Sequence, residues 1–430
     1  MVLGAMIALL LAPGQAAAAS PTYQPREVIV QYRPHVGRAS QTQVESRIGT
    51  AAQHDLPGDS KRLDIEDGAS VADTVSELRR DPRVRYAVPN YLAHASAFQP
   101  NDPGFPLQWN FWGPYGINMP EAWSLASGLK APGGRGAVVA VLDTGVAYRR
   151  LGRYRRAPDL TSFVRGYDFV DEDRYPVDLN GHGTHVAGTM AQATNNGIGA
   201  AGIAYRARIM PVRTLDANGV GDAVTISRGI RYAVRHHADV INLSLEFGPE
   251  IRAAHVPGVL AAIRYARRHR VVVTAVAGNA AADQVPFPAR ARGVIAVGAT
   301  TEDGCLAEYS NFGEYVDVTA PGGGDDAAPG LDAWDQEHCH PGSPLHSIYQ
   351  QTFTSPLGPF GLPSGFYGTS MAAPHVAGLA ALLIASKRLG SRSRPAAVER
   401  WIERTARDLG PPGFDPRYGH GLLDAAAALR

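Results

Sequence analysis

Three short stretches of this 430-residue chain hold side chains that could carry out acyl transfer. Asp143 closes the apolar run Val-Val-Ala-Val-Leu-Asp and is followed by Thr144-Gly145, which puts a carboxylate at the carboxyl end of a strand. Alone it reads equally well as a turn-forming aspartate. His182 lies in Asn-Gly-His-Gly-Thr-His-Val-Ala-Gly (Asn180–Gly188), where glycines give way to a helix reaching about Ala193, so its imidazole can meet both a carboxylate and a hydroxyl. Two histidines three apart could instead ligate a metal, but the Glu of His-Glu-x-x-His is missing, and His185 reads as a packed helix residue. Ser370, in Gly-Thr-Ser-Met-Ala-Ala-Pro-His-Val-Ala-Gly (Gly368–Gly378), opens an apolar helix reaching about Ser386. A serine hydroxyl attacks well only when a base takes its proton and a third group orients that base. Backbone N–H groups at the helix start, and the Asn279 amide after Val-Ala-Gly, are suited to a developing oxyanion. On its own Asn279 is a turn residue.

The elements that would position residues 143, 182, 279 and 370 read as a layered scaffold. Ala137–Leu142, Ile209–Val212, Val240–Leu243, Val271–Ala277 and Val294–Val297 are short, fully apolar strand candidates, most of them separated by helical segments. That order predicts parallel strands joined by right-handed crossovers, an α/β domain with its site at the strands' carboxyl ends. A Gly- and Pro-rich insertion, Gly322–Gly368, interrupts it. Upstream, the pattern predicts a small unit over 24–95: strand Val28–Tyr32, helix Ser40–Ala52, strand Arg62–Ile65, helix Val71–Arg80 and strand Val84–Val88. An Ala-, Ser- and Pro-rich linker, 96–106, separates it from a domain over 107–430. Residues 1–19 read as a signal peptide, too short to span a membrane, although no basic residue precedes the apolar run; a disordered or core N-terminus is the alternative. Lys plus Arg number 41 against 40 Asp plus Glu, which leaves no global field to attract nucleic acid or anionic lipid. The two cysteines, Cys305 and Cys339, suit one disulfide in an oxidising compartment, and two buried free thiols would look the same.

The three blocks run Asp, His, Ser along the chain, unlike the Ser, Asp, His order of α/β-hydrolases or the His, Asp, Ser order of chymotrypsin-like enzymes. Over about residues 101–430 the chain resembles the subtilisin-like serine proteases. The resemblance implies a subtilisin-like layered domain with a mostly parallel sheet flanked by helices, preceded by a small α+β pro-domain. It implies that Asp143 orients His182, that His182 serves as general base and then general acid, that Ser370 attacks the scissile carbonyl, and that Asn279 helps hold the oxyanion. Gly219-Val220-Gly221 and Ser244-Leu245 match the two segments that take the substrate as an added strand. Glu246 departs from the family, which usually carries glycine there. Its carboxylate either enters the primary pocket, favouring Arg or Lys, or turns outward to solvent at least cost, which is the expectation.

The same resemblance implies calcium and no organic cofactor. Asp159, Asn196 and carbonyls near Thr194, Ile198 and Ala200 match one calcium site. Asp168, Asp171 and Asp173, mutually repelling unless solvated or bridged by a hard cation, resemble a second. The first hundred residues look like the pro-segment of secreted family members, acting as an intramolecular inhibitor, with a permanent binding domain as the alternative. The expected protein is therefore a secreted, extracellular or periplasmic, monomeric endopeptidase acting on polypeptides, with no nucleic-acid or membrane partner. A catalytically silent binding protein and a serine esterase or acyltransferase are the alternatives.

Overall fold

The computed structural model describes residues 23–56, 60–91, 98–328, 338–342, 346–355, 357–391 and 393–430. The stretch read as a signal peptide lies outside them. The chain divides into two units, Met1–Ser96 and Ala97–Arg430.

In the first unit, strands β1 (Tyr23–Tyr32), β2 (Thr50–Leu56), β3 (Ser60–Ile65) and β4 (Val84–Tyr91) form a sheet of order β2-β3-β1-β4, with every ladder antiparallel. Helices α1 (Arg38–Arg47) and α2 (Val71–Arg80) accompany it. The helix expected to reach Ala52 stops at Arg47. Gly49 takes φ 65°, a left-handed conformation that ends a helix, and Thr50 onward pairs with β3 as a strand that the apolar pattern did not show. The Ser70 side chain caps α2 by accepting from Asp73 N–H, and α2 buries Val71, Thr74, Val75 and Leu78 at helical spacing.

The second unit is built on a seven-stranded sheet. Its strands are β5 (Val138–Asp143), β6 (Tyr167–Asp168), β7 (Arg208–Arg213), β8 (Val240–Leu243), β9 (Val272–Val276), β10 (Ile295–Thr300) and β11 (Val318–Pro321). Their order is β11-β10-β9-β8-β5-β7-β6, and all the ladders are parallel. The five strands expected from apolar runs are all present. Short β6 and β11 were not anticipated. Helices α3 (Trp109–Trp112) and α4 (Met119–Gly128) precede the sheet; α5 (His182–Ala191), α6 (Ala223–Arg235), α7 (Pro257–Arg268), α8 (Thr369–Ser386), α9 (Pro395–Thr405) and α10 (Ala425–Leu429) follow in chain order. Two-residue strands β12 (Thr352–Phe353) and β13 (Phe360–Gly361) pair as a hairpin inside the insertion.

Strand side chains alternate between two apolar cores. Val139, Val141, Ile209 and Val240 pack with α5 and α8, whereas Val138, Ala140, Leu142 and Met210 pack with α6 and α7. Burial on both faces is why the strands read as unbroken apolar runs. By length and composition α8 could cross a membrane, yet it is the central core helix, with Pro374 buried inside it.

The stretch read as a linker is packed into the second unit from Phe98 onward. Phe98 N–H donates to Ser124 Oγ at 3.0 Å, its ring meets Trp123 edge-on at 5.6 Å, and Asp102 is buried. The insertion is tied back by a disulfide between Cys305 and Cys339.

Candidate active site

β5 ends at Asp143, which is fully buried. One carboxylate oxygen, Oδ1, accepts from Thr144 N–H at 2.7 Å and lies 2.8 Å from His182 Nδ1. Gly181, at φ 110°, turns the chain so that α5 begins at His182. Beneath that turn lies Asp178, which the sequence reading did not single out. Its Oδ1 accepts from Thr144 Oγ1, Asn180 N–H and Gly181 N–H, and its Oδ2 from Thr184 N–H and Oγ1, all between 2.6 and 2.9 Å. One buried carboxylate thus clamps the Asp143 turn to the start of the His182 helix. Burial on its own would depress the His182 pKa, but the Asp143 charge and hydrogen bond, with a further contribution from Asp178, leave it above its ordinary value. His185 faces the core, with Nε2 2.8 Å from Ile348 O and its ring stacked on Phe366 at 4.3 Å. The two histidines do not converge.

Ser370 is the second residue of α8, after Gly368 at φ 145°. Its position is set from the sheet as well as from its helix. Thr274 Oγ1 donates to Asn242 Oδ1 at 3.1 Å, Asn242 Nδ2 to Ser244 Oγ at 2.9 Å, and Ser244 Oγ to Ser370 O at 2.9 Å. Asn279 follows β9. Its Oδ1 accepts from Thr369 N–H and Thr369 Oγ1, both at 2.9 Å, which leaves Nδ2 as the end available to the cleft. The Asn279 loop is itself held by Asn311, whose Oδ1 accepts from Ala280 and Ala282 N–H groups.

His182, Ser370 and Asn279 line one cavity of about 490 Å³, together with Gly219-Val220-Gly221 and Ser244-Leu245-Glu246. Every catalytic and substrate-contacting position drawn from the sequence therefore borders this cavity, apart from Asp143, which stands behind His182. Gly219 adopts φ 79° in a turn closed by Asp216, and Val220 is exposed beside it. Glu246 is exposed, as expected, but its carboxylate folds back along the cleft wall. Its carboxylate lies over Gly278, where any side chain would collide with it, and accepts from the Asn279 backbone N–H. Although part of the side chain is solvent-exposed, desolvation against that wall raises its pKa, with the Asn279 hydrogen bond opposing.

The two presumed calcium clusters differ. Asp159 is fully buried; Oδ1 accepts from Asn196 Nδ2 at 2.7 Å and Oδ2 from Gln192 Nε2 at 2.8 Å. Burial pushes its carboxyl up to about 6, the amide donors oppose this, and the charge of Asp102 adds to it. Asp102, assigned to the linker in the sequence reading, accepts from Asn195 and Asn196 N–H groups and belongs to this cluster. The second cluster already holds a cationic side chain. Arg213, 3% exposed, donates from Nη1 to Asp168 Oδ2 at 2.8 Å and to Asp171 Oδ2 at 2.5 Å, while Asp173 Oδ1 accepts from Tyr175 N–H. The repulsion between Asp168 and Asp171 is relieved in part by an arginine of the same chain.

Residues 134–421 match the profile of the Subtilase family, and residues 12–90 that of the Fervidolysin N-terminal prodomain. A thermophilic serine proteinase of Bacillus sp. (strain AK1) is 37% identical over 92% of this chain and 86% of its own length. Thermitase of Thermoactinomyces vulgaris is 37% identical over 77% of this chain and 100% of its own. A solved protease structure from Pseudoalteromonas arctica PAMC 21717 superposes with a TM-score of 0.62 at 33% identity, covering 77% of this chain and 99% of that one.

Proposed function

The chain belongs to the subtilase family and is a serine endopeptidase, and from that premise we propose that its acyl-enzyme forms on Ser370. The observation that carries this reading is the single cavity bordered by Ser370, His182 and Asn279, with buried Asp143 behind the imidazole. Asp143 accepts Nδ1–H and so leaves Nε2 as the basic nitrogen, which takes the Ser370 proton as Oγ attacks the scissile carbonyl. Asn279 Nδ2 and Ser370 N–H meet the oxyanion. His182 then protonates the leaving amine, and water releases the acyl group by the same steps in reverse. His182 must be neutral to act as base. Because its pKa is raised, activity falls on the acid side as pH drops through that raised value.

Gly219–Gly221 and Ser244–Glu246 would take the substrate as an added strand. A partly desolvated carboxylate at Glu246 favours Arg or Lys in the neighbouring substrate position. Glu246→Gly is expected to lower the Arg-over-Phe ratio of kcat/KM on matched peptides, and an unchanged ratio would remove that role.

The N-terminal unit, matched to a prodomain, would inhibit the cleft until the protein cuts itself. The cut is expected between about His94 and Pro106, and the packing of Phe98 and burial of Asp102 favour the N-terminal end of that range. Export is supported by the apolar N-terminus. The oxygen-rich set of buried Asp102 and Asp159 with exposed Asn196 suits a hard cation. Calcium there would neutralise two carboxylates and tie the start of the domain to the loop carrying Thr194, Ile198 and Ala200.

Ser370→Ala should abolish hydrolysis of casein and leave the chain at full pro-length by intact mass. Native-rate proteolysis in that variant would overturn the assignment, while ester cleavage without peptide cleavage in the wild type would favour an esterase.

A further inference from the structure

A second groove, of about 670 Å³, opens between the C-terminal half of α7 and the loop from Phe287 to Arg292. Its floor is apolar, formed by Ile263, Phe287 and Ala291, each buried. Its rim carries Arg264, Arg267, Arg268, Arg290 and Arg292, and no carboxylate among the described residues lines it. Two of these guanidiniums are already engaged: Arg290 donates to Ile251 O at 2.9 Å and covers the Phe287 ring at 4.4 Å, and Arg267 faces Glu399. Arg264, Arg268 and Arg292 are exposed and make no hydrogen bond or ion pair with the described residues. In a chain whose charges nearly cancel, this is a local concentration of positive charge over an apolar floor. Guanidiniums grouped in this way repel one another until an anion comes between them.

We propose that this groove is a second peptide-binding site, taking an acidic polypeptide segment whose apolar side chain fills the floor while its carboxylates pair with Arg264, Arg268 and Arg292. A single-stranded nucleic acid would need open aromatic faces for stacking, and the one ring here is buried and capped by Arg290. An anionic membrane would need protruding apolar side chains, whereas these are recessed. The groove also adjoins the cleft: Phe247, which lines the cleft, donates its N–H to Phe287 O at 2.8 Å. A protein substrate held in the groove is therefore held against the far side of the cleft wall. This extension to substrates rests on the endopeptidase reading; the binding itself does not.

The test uses full-length Ser370→Ala protein, titrated with a fluorescent peptide of alternating Glu and Phe, its Lys and Phe counterpart, an oligodeoxynucleotide and phosphatidylserine vesicles. The acidic peptide should bind, and the combined Arg264→Glu, Arg268→Glu, Arg292→Glu variant should raise its Kd by at least about tenfold. The matching Gln variant should lie between the two. With Ser370 intact, the Glu variant should raise KM for an acidic protein while cleaving a short uncharged peptide normally. An absent or unchanged affinity for the acidic peptide, or equal binding of the oligonucleotide or vesicles, would overturn the proposal. Failure of the endopeptidase reading would instead appear as no cleavage of the short peptide by the wild type.

Discussion

Around Asp168 the acids meet a guanidinium, whereas around Asp159 they meet only amides. Both clusters are aspartates close to turns, and in the sequence both suggest a divalent cation. What separates them is the strand beside each one. β7 runs next to β6 and ends at Arg213, which brings a full positive charge to Asp168 from 45 residues away. No such cation reaches Asp159 and Asp102 among the described hydrogen bonds. A cation site is thus better judged by the charge already supplied from neighbouring elements than by the count of acids in a loop.

The contrast can be broken most forcefully at Arg213. Arg213→Met leaves Asp168 buried without its partner and should cost about 3–5 kcal/mol of stability in denaturant unfolding. A loss below about 1 kcal/mol would mean that another group neutralises Asp168. Chelation should have the next largest effect, lowering stability by about 3 kcal/mol if calcium had been present at a hundredfold or more over its Kd. Asp159→Asn should abolish that response while Asp173→Asn keeps it. The reverse pattern would exchange the two sites. Smallest of all is Asp171→Asn, because its carboxylate is 61% exposed and screened, so a melting temperature within a degree or two of the wild type is expected.

The positions proposed as catalytic were legible because they lie in short blocks at strand and helix ends, where glycines fix the backbone, and all but Asp143 border one cavity. Asp143, His182, Ser370 and Asn279 each carried such a signature. What escaped depends on contacts distant in sequence. Asp102 looked like a linker residue because nothing local shows that Asn195 and Asn196 donate to it. Asp178 was not singled out, although five hydrogen bonds end on it. The direction of Glu246 could not be read because it is decided by the bare Cα of Gly278, more than thirty residues on. β2 was lost to an overextended helix, since Thr50–Leu56 is mixed in polarity and becomes a strand by pairing with β3.

The Cys305–Cys339 bond has a consequence for survival among copies of the same enzyme. A concentrated endopeptidase is its own substrate, and long surface insertions are where chains are nicked first. A cut anywhere between positions 305 and 339 leaves both new ends covalently attached to one molecule. Such a nicked protein stays a single molecule, heavier only by the water added at the cut, until it is reduced, and the two new ends are kept from diffusing apart.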